Sequence, residues 1–149
     1  MIKHEIQTTL EQPPERVFDF LVDFRNEPDW NPDCLSVEKT SDGPISIGTT
    51  FSSKMKGVGR IESQIVTLDR PAHCSVKDRA RAMDSSFEFR FAPSGPGTHV
   101  SIAMRMQPRG PMRLLEPILG PMMKRKFDEL PERIRRGIDS TAGRARAAS

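Results

Sequence analysis

The sequence predicts an α+β domain: a curved, antiparallel, seven-stranded sheet wrapped around a long C-terminal helix, with a pair of short helical segments after the first strand. Three observations predict it. Six strand-like runs follow one another between residues 34 and 107, joined only by short turns, an order that favours an antiparallel meander. A long apolar stripe at helical spacing closes the chain, and it is the one element large enough to cover the sheet face that must be buried. A chain of 149 residues builds one core without metals or disulfides.

The first strand alternates Ile2, His4, Ile6, Thr8 and Leu10 against Lys3, Glu5, Gln7 and Thr9, the period of a half-buried strand. Pro13-Pro14 ends it. Pro14 suits the first turn of a helix, where a missing N–H costs nothing, and Glu15 complements the positive helix end. The helix is expected over about 14–23, with Val17, Phe18, Phe20, Leu21 and Phe24 as its apolar stripe. Regularity breaks at Glu27-Pro-Asp-Trp-Asn-Pro32.

The second strand, about 34–40, turns at Ser41-Asp-Gly-Pro44. The third, about 49–56, sets Phe51, Ser53 and Met55 on one face, and Lys56-Gly-Val-Gly59 joins it to the fourth, 60–69. The fourth has mixed periodicity around Ile65 and Val66, which a bulge would reconcile. In the fifth, 73–80, Cys74, Val76 and Asp78 share a face. The sixth and seventh, 84–92 and 98–107, form the clearest hairpin: Phe87, Phe89 and Phe91 alternate with Glu88 and Arg90, and Val100, Ile102, Met104 and Met106 with Ser101, Ala103 and Arg105.

The final helical region begins at Gly110-Pro111 and carries Leu114, Leu115, Ile118, Leu119, Met122, Met123, Phe127, Leu130, Ile134 and Ile138. Pro117, Pro121 and Pro131 each remove an intrahelical donor. They predict a short first segment, a long helix from near Pro121 and a kink near Pro131. The domain is assigned to 1–139, and 140–149, rich in Ala, Arg, Gly and Ser, to a flexible basic tail.

Composition narrows the function. The net charge of +3 divides into +4 over residues 122–149 and −1 over the rest, so the body is near neutral and a general nucleic-acid footprint is absent. Cys34 and Cys74 are the only cysteines, and they read as buried thiols of a cytoplasmic domain rather than a disulfide framework. No apolar run is long enough for a leader or a membrane span. Two Cys and three His without close spacing give no metal motif, and no cofactor is expected. Gly57 and Gly59 lack the third glycine and following helix of a dinucleotide site. A monomer or homodimer fits equally.

Several local motifs carry a resemblance. Pro13-Pro-Glu-Arg-Val-Phe-Asp-Phe20, Trp30-Asn-Pro32, Phe87-Glu-Phe-Arg-Phe91 followed by Gly97-Thr-His-Val-Ser101, and Gly110-Pro-Met-Arg-Leu-Leu115 together resemble the START-like, Bet v 1-like helix-grip superfamily, which includes polyketide cyclases/dehydrases and lipid-transfer domains. The resemblance covers about residues 2–139. It implies a helix-grip fold with an inner cavity that holds an apolar or aromatic, lipid- or polyketide-like molecule. The three prolines in the last helix depart from that family's uninterrupted helix.

The expected lining of such a cavity is Phe20, Trp30, Phe51, Met55, Val76, Phe87, Phe89, Met104, Leu115, Leu119 and Met122. The bland alternative is that these side chains simply fill a core. Catalysis would need an acid or base beside the ligand. Asp78, in phase with Cys74 and Val76, and Glu116, beside the Leu115 stripe, are the candidates for a cyclase/dehydrase-like enzyme. His4 is expected to be partly buried and hydrogen-bonded, His73 to sit at a rim, and His99 to face solvent. The basic positions Lys124, Arg125, Lys126, Arg133, Arg135 and Arg136 offer a third reading, contact with an anionic membrane surface or nucleic acid. A charge run of this kind is more often a solvated helix face.

Overall fold

A computed structural model describes the backbone of residues 1–148 and the side chains of residues 1–140. The backbone of the segment expected to be a flexible tail, 140–149, continues α3 as far as Ala148, and its side chains beyond 140 lie outside the described residues. The strands are β1 (Ile2–Leu10), β2 (Cys34–Lys39), β3 (Thr50–Met55), β4 (Gly59–Asp69), β5 (His73–Arg79), β6 (Met83–Ser94) and β7 (Gly97–Pro108). The helices are α1 (Pro14–Val22), α2 (Glu116–Asp128) and α3 (Leu130–Ala148), with 3-10 turns at Phe24–Asp29 and Gly110–Leu115.

The sheet runs β1-β7-β6-β5-β4-β3-β2, antiparallel throughout. β2 to β7 form the meander, and β1 returns to pair with β7. The long β6–β7 hairpin sets Phe87 opposite Met104, Phe89 opposite Ile102 and Phe91 opposite Val100, the register that places both apolar sets on one face. A register shift between Ile65 and Thr67 in β4 accounts for that strand's mixed periodicity. Cys34 and Ser36 bracket a second shift in β2.

α1 begins with Pro14 in its first turn. It buries Val17, Phe18, Phe20 and Leu21, and Phe18 meets Phe91 edge-on with ring centres 5.2 Å apart. The C-terminal arm is two helices rather than one kinked rod. α2 starts at Glu116, before Pro121, and breaks at Glu129, so that Pro131 falls in the first turn of α3, where its missing N–H is tolerated. Gly137 lets α3 lie directly on the Phe24–Asp29 turn. A Cβ there would stand 2.7 Å from Trp30 Cβ and 2.9 Å from the Asp29 carbonyl oxygen.

Candidate functional site

The inner face of the sheet changes character along its length. Phe91 and Phe89 of β6 are buried, Phe87 is half-buried, and beyond it come Ser85 and Met83, also half-buried. The helical arm loosens in the same direction. Ile138 and Ile134 are sealed in the core, while Leu130, Phe127 and Met123 are half-buried. Phe127 and Leu130 pack against the edge of the core cluster. The inner face is therefore less tightly covered toward the end where α2 crosses.

Two carboxyl groups stand at this end. Asp78 lies on β5 opposite Ser63 of β4 and Ser85 of β6. Glu27 comes from the 3-10 turn, which is fixed from several sides. Asp23 Oδ1 accepts from the Arg25 amide at 3.1 Å, Asn26 Nδ2 donates to the Phe20 carbonyl at 3.1 Å, and the Phe24 ring meets Phe51 edge-on at 5.2 Å. Asn31 Nδ2 donates to Glu27 Oε2 at 2.9 Å. The Glu27 carbonyl accepts from the Trp30 and Asn31 amides at 3.0 and 2.8 Å, so the whole Glu27–Asn31 loop is one bonded unit.

Both residues keep some accessible surface, yet their carboxyls lie deep enough for desolvation to dominate their acidity. Burial pushes Glu27 up to about 7, against the pull of Asn31 and with a further push from the Asp78 charge. Burial pushes Asp78 up to about 6, against the Ser63 hydroxyl. Asp78 Oδ1 is buried without a hydrogen-bond partner, a costly condition in a protein interior. Two buried carboxyls with raised pKa values thus stand near each other, flanked by Ser63, Ser85 and Asn31.

The cysteines contribute no nucleophile. Cys34 and Cys74 are free and buried. Desolvation pushes both thiols up to about 12, with Glu27 adding to the shift at Cys34, so neither offers a thiolate near neutral pH.

Of the sequence-predicted residues, Phe20, Trp30, Phe51, Val76, Phe89 and Met104 lie in the buried core cluster. Phe87 packs at its edge, and Met55 and Leu119 are half-buried. Leu115 and Met122 differ from expectation: they are 43% and 46% exposed. The phase of α2 explains this. Gly120 lies beside Ile2 and Phe127 stacks on His4, so the helix turns the Gly120–Met123–Phe127 side to the sheet. Ile118, 68% exposed, and Met122 are turned outward. Asp78 sits on the inner face as its phase with Val76 predicted. Glu116 does not join it, because it pairs with the Met1 ammonium at the edge of β1.

His4 Nε2 lies 2.7 Å from Asp128 Oδ1, His73 Nε2 lies 2.9 Å from Glu88 Oε1, and His99 meets Gln7 and Thr9 at the surface. Of the basic positions, Arg133, Arg135 and Arg136 pair with glutamates of their own arm, and Lys126 with Asp33. Glu27 is the residue that sequence reasoning missed. Its one signal was its place in an irregular turn between two large aromatics, Phe24 and Trp30, both of which are buried.

An open concavity of about 820 Å³ borders the same stretch of sheet. Its walls include Ser63, Asp78, Ser85 and Met106 together with Glu62, Lys77, Arg79, Asp84 and Arg105, which alternate with them along the strands. It is an open groove of mixed character, with apolar surface, charged side chains and Asp78 at one wall. Among the described residues no group of three His, Cys, Asp or Glu side chains could hold a metal, and no helix is long and apolar enough to cross a membrane.

The family model described as "Polyketide cyclase / dehydrase and lipid transport" matches residues 1–139. No curated protein matches the chain. Among solved structures, TTHA0849 from Thermus thermophilus is similar with a TM-score of 0.74 at 16% identity, covering 93% of this chain and 98% of that one. Ara h 8.0201 gives 0.68 at 18% identity, covering 93% and 97%. A START superfamily protein from Mycobacterium smegmatis gives 0.70 at 12% identity, covering 89% and 96%. At these identities the likeness is one of fold.

Proposed function

The chain belongs to the polyketide cyclase / dehydrase and lipid transport family, and from that premise we propose that it binds an apolar or aromatic small molecule between the inner sheet face and the helical arm. One observation carries the reading. A buried carboxyl oxygen, Asp78 Oδ1, stands without a partner at the less tightly covered end of the inner face, beside Glu27 and below the half-buried Phe87. An orphaned buried polar atom is satisfied by a ligand that brings the missing donor. Phe87, Phe127, Leu130 and Met123 supply the apolar contact. Fold and family agree with the binding of a hydrophobic ligand; the assignment of these residues to the site is our own.

The test is titration with N-phenyl-1-naphthylamine, a neutral probe whose emission rises on leaving water. Saturable enhancement that falls when Phe87 is replaced by Asp supports the reading. Enhancement that is absent, or that ignores this substitution in a folded variant, contradicts it.

A second reading, a polyketide cyclase-like reaction, is favoured by the raised acidities of the pair. Ionised Asp78 would take an α-proton from an enolisable ligand while protonated Glu27 gives its proton to the carbonyl oxygen, yielding a neutral enol. Protein-dependent deuterium exchange into a bound β-diketone, lost in Asp78→Asn, tests it.

A further inference from the structure

Among the described residues, neither carboxyl forms an ion pair. The groups acting on Glu27 are Asn31 and Asp78, and the group acting on Asp78 is Ser63. No lysine or arginine is among them. Cys34, on β2, feels Glu27 but is itself a neutral thiol. The inner rows of the sheet flanking Asp78 read Phe51, Ser63, Ser85 and Met106.

Several basic groups at the margins of this face already have partners. His4 is held by Asp128. Lys39 Nζ donates to the carbonyls of Ser41 and Gly43. Arg109 donates to the carbonyls of Ala80 and Arg81 and pairs with Asp84. A deeply placed negative charge is costly unless it is paired or takes up a proton, and a cationic ligand would supply a pairing that neither carboxyl has among the described residues.

Resting on the binding role proposed above, we infer that the site selects ligands whose apolar body ends in a protonated amine, and discriminates against ligands ending in a carboxylate. The ammonium donates to Asp78 Oδ1, the buried atom that lacks a partner, and lies beside the Glu27 carboxylate, whose Oε2 already accepts from Asn31. A ligand carboxylate brings a third negative charge to the same place with no donor to receive it. A hydroxyl lies between the two, able to donate one neutral hydrogen bond. The preference depends on ionised carboxyls, so it is strongest in mildly alkaline solution and fades in acid as both take up protons.

The experiment compares dodecylamine, dodecanol and dodecanoate, each below its aggregation concentration, by competition against N-phenyl-1-naphthylamine at about pH 8 and about pH 5, where the two carboxyls differ in charge. At the higher pH the amine is expected to bind about tenfold tighter than the alcohol, the scale of one charge-assisted hydrogen bond, with dodecanoate weakest. The gap narrows at the lower pH. Glu27→Gln and Asp78→Asn, each nearly isosteric, lose the amine preference and keep the alcohol.

If the alcohol binds but the amine gains nothing at the higher pH, or dodecanoate equals it, the head-group inference is overturned while the binding role stands. If the fluorescent probe and all three chains fail to bind, the binding role falls and this inference with it.

Discussion

The two ends of the inner sheet face are built from the same kinds of element and behave differently. At one end, α1, α3 and the Phe89–Phe91 stretch of β6 interlock: Leu10, Val17, Val100, Ile134 and Ile138 are all essentially inaccessible. At the other, the partners are shorter and polar. Ser63, Asp78 and Ser85 replace large side chains on three adjacent strands, and α2 presents Gly120 to the sheet. The closed end gains its stability from apolar contact at native packing density. The open end gives up that contact and keeps two carboxyls in its place. A stable grip at one end thus permits a site at the other.

That contrast can be broken by mutation, with the largest effect at the closed end. Ile134→Ala, at a fully buried position, is expected to cost about 2–5 kcal/mol in urea unfolding. Met122→Ala on the outward side of α2 should change stability by less than about 0.5 kcal/mol. Equal losses at the two sites would show that both ends are packed alike.

The two arm glycines make a second pair. Gly137→Ala drives a methyl group into Trp30 Cβ and a backbone carbonyl, and neither yields easily. A loss of about 1–3 kcal/mol is expected. Gly120→Ala meets only Ile2 Cγ1 at 4.0 Å outside its own helix and chain neighbours, so it should cost less than Gly137→Ala, with the Pro121 ring that follows offsetting the gain from replacing a helix-interior glycine. Thermal melts of the two variants sharpen the comparison, and the opposite order would refute it.

Acid–base behaviour belongs to the open end alone. Both carboxyls have folded-state pKa values above their ordinary ones, about 7 for Glu27 against 4.5 and about 6 for Asp78 against 3.8. Folding therefore takes up protons between those limits. Their contribution is most favourable below the ordinary values, is lost as pH rises through the folded-state values, and levels off above them. Glu27→Gln removes one ionisation, and should raise stability at pH 8 by about 1–3 kcal/mol relative to the parent while flattening the pH dependence. Denaturant midpoints across this range check it. Stability that rises with pH between about 5 and 7 would contradict the sign.

How legible each end was in the sequence follows from the same physics. Strict alternation in β6 and β7 let Phe87, Phe89, Met104 and Met106 be placed on one face before any coordinates, because a strand's period of two is unambiguous when its partner alternates as well. Asp78 inherited its inward position from Cys74 and Val76 in the same way. Glu27 could not be read so. A 3-10 turn with a proline inside it has no useful apolar period, and its carboxyl faces inward only because Phe24, Trp30 and Gly137 pin the turn from three sides. The arm was legible as a helix but not in phase. It carries apolar residues on more than one side, and the break at Glu129 resets the register, so Leu115 and Met122 were assigned to the lining when Gly120, Met123 and Phe127 turn to the sheet.

The most direct measurement of the account is carboxyl-carbon NMR of the folded protein, titrated with and without N-phenyl-1-naphthylamine. With Glu27 and Asp78 assigned from Glu27→Gln and Asp78→Asn, they should titrate near 7 and near 6. Both midpoints should rise when the neutral ligand displaces water, while the surface carboxyl of Asp19, held low by Arg70, stays where it was. Two carboxyls titrating in the ordinary range near 4, indifferent to the ligand, would mean that no ligand site lies at the open end.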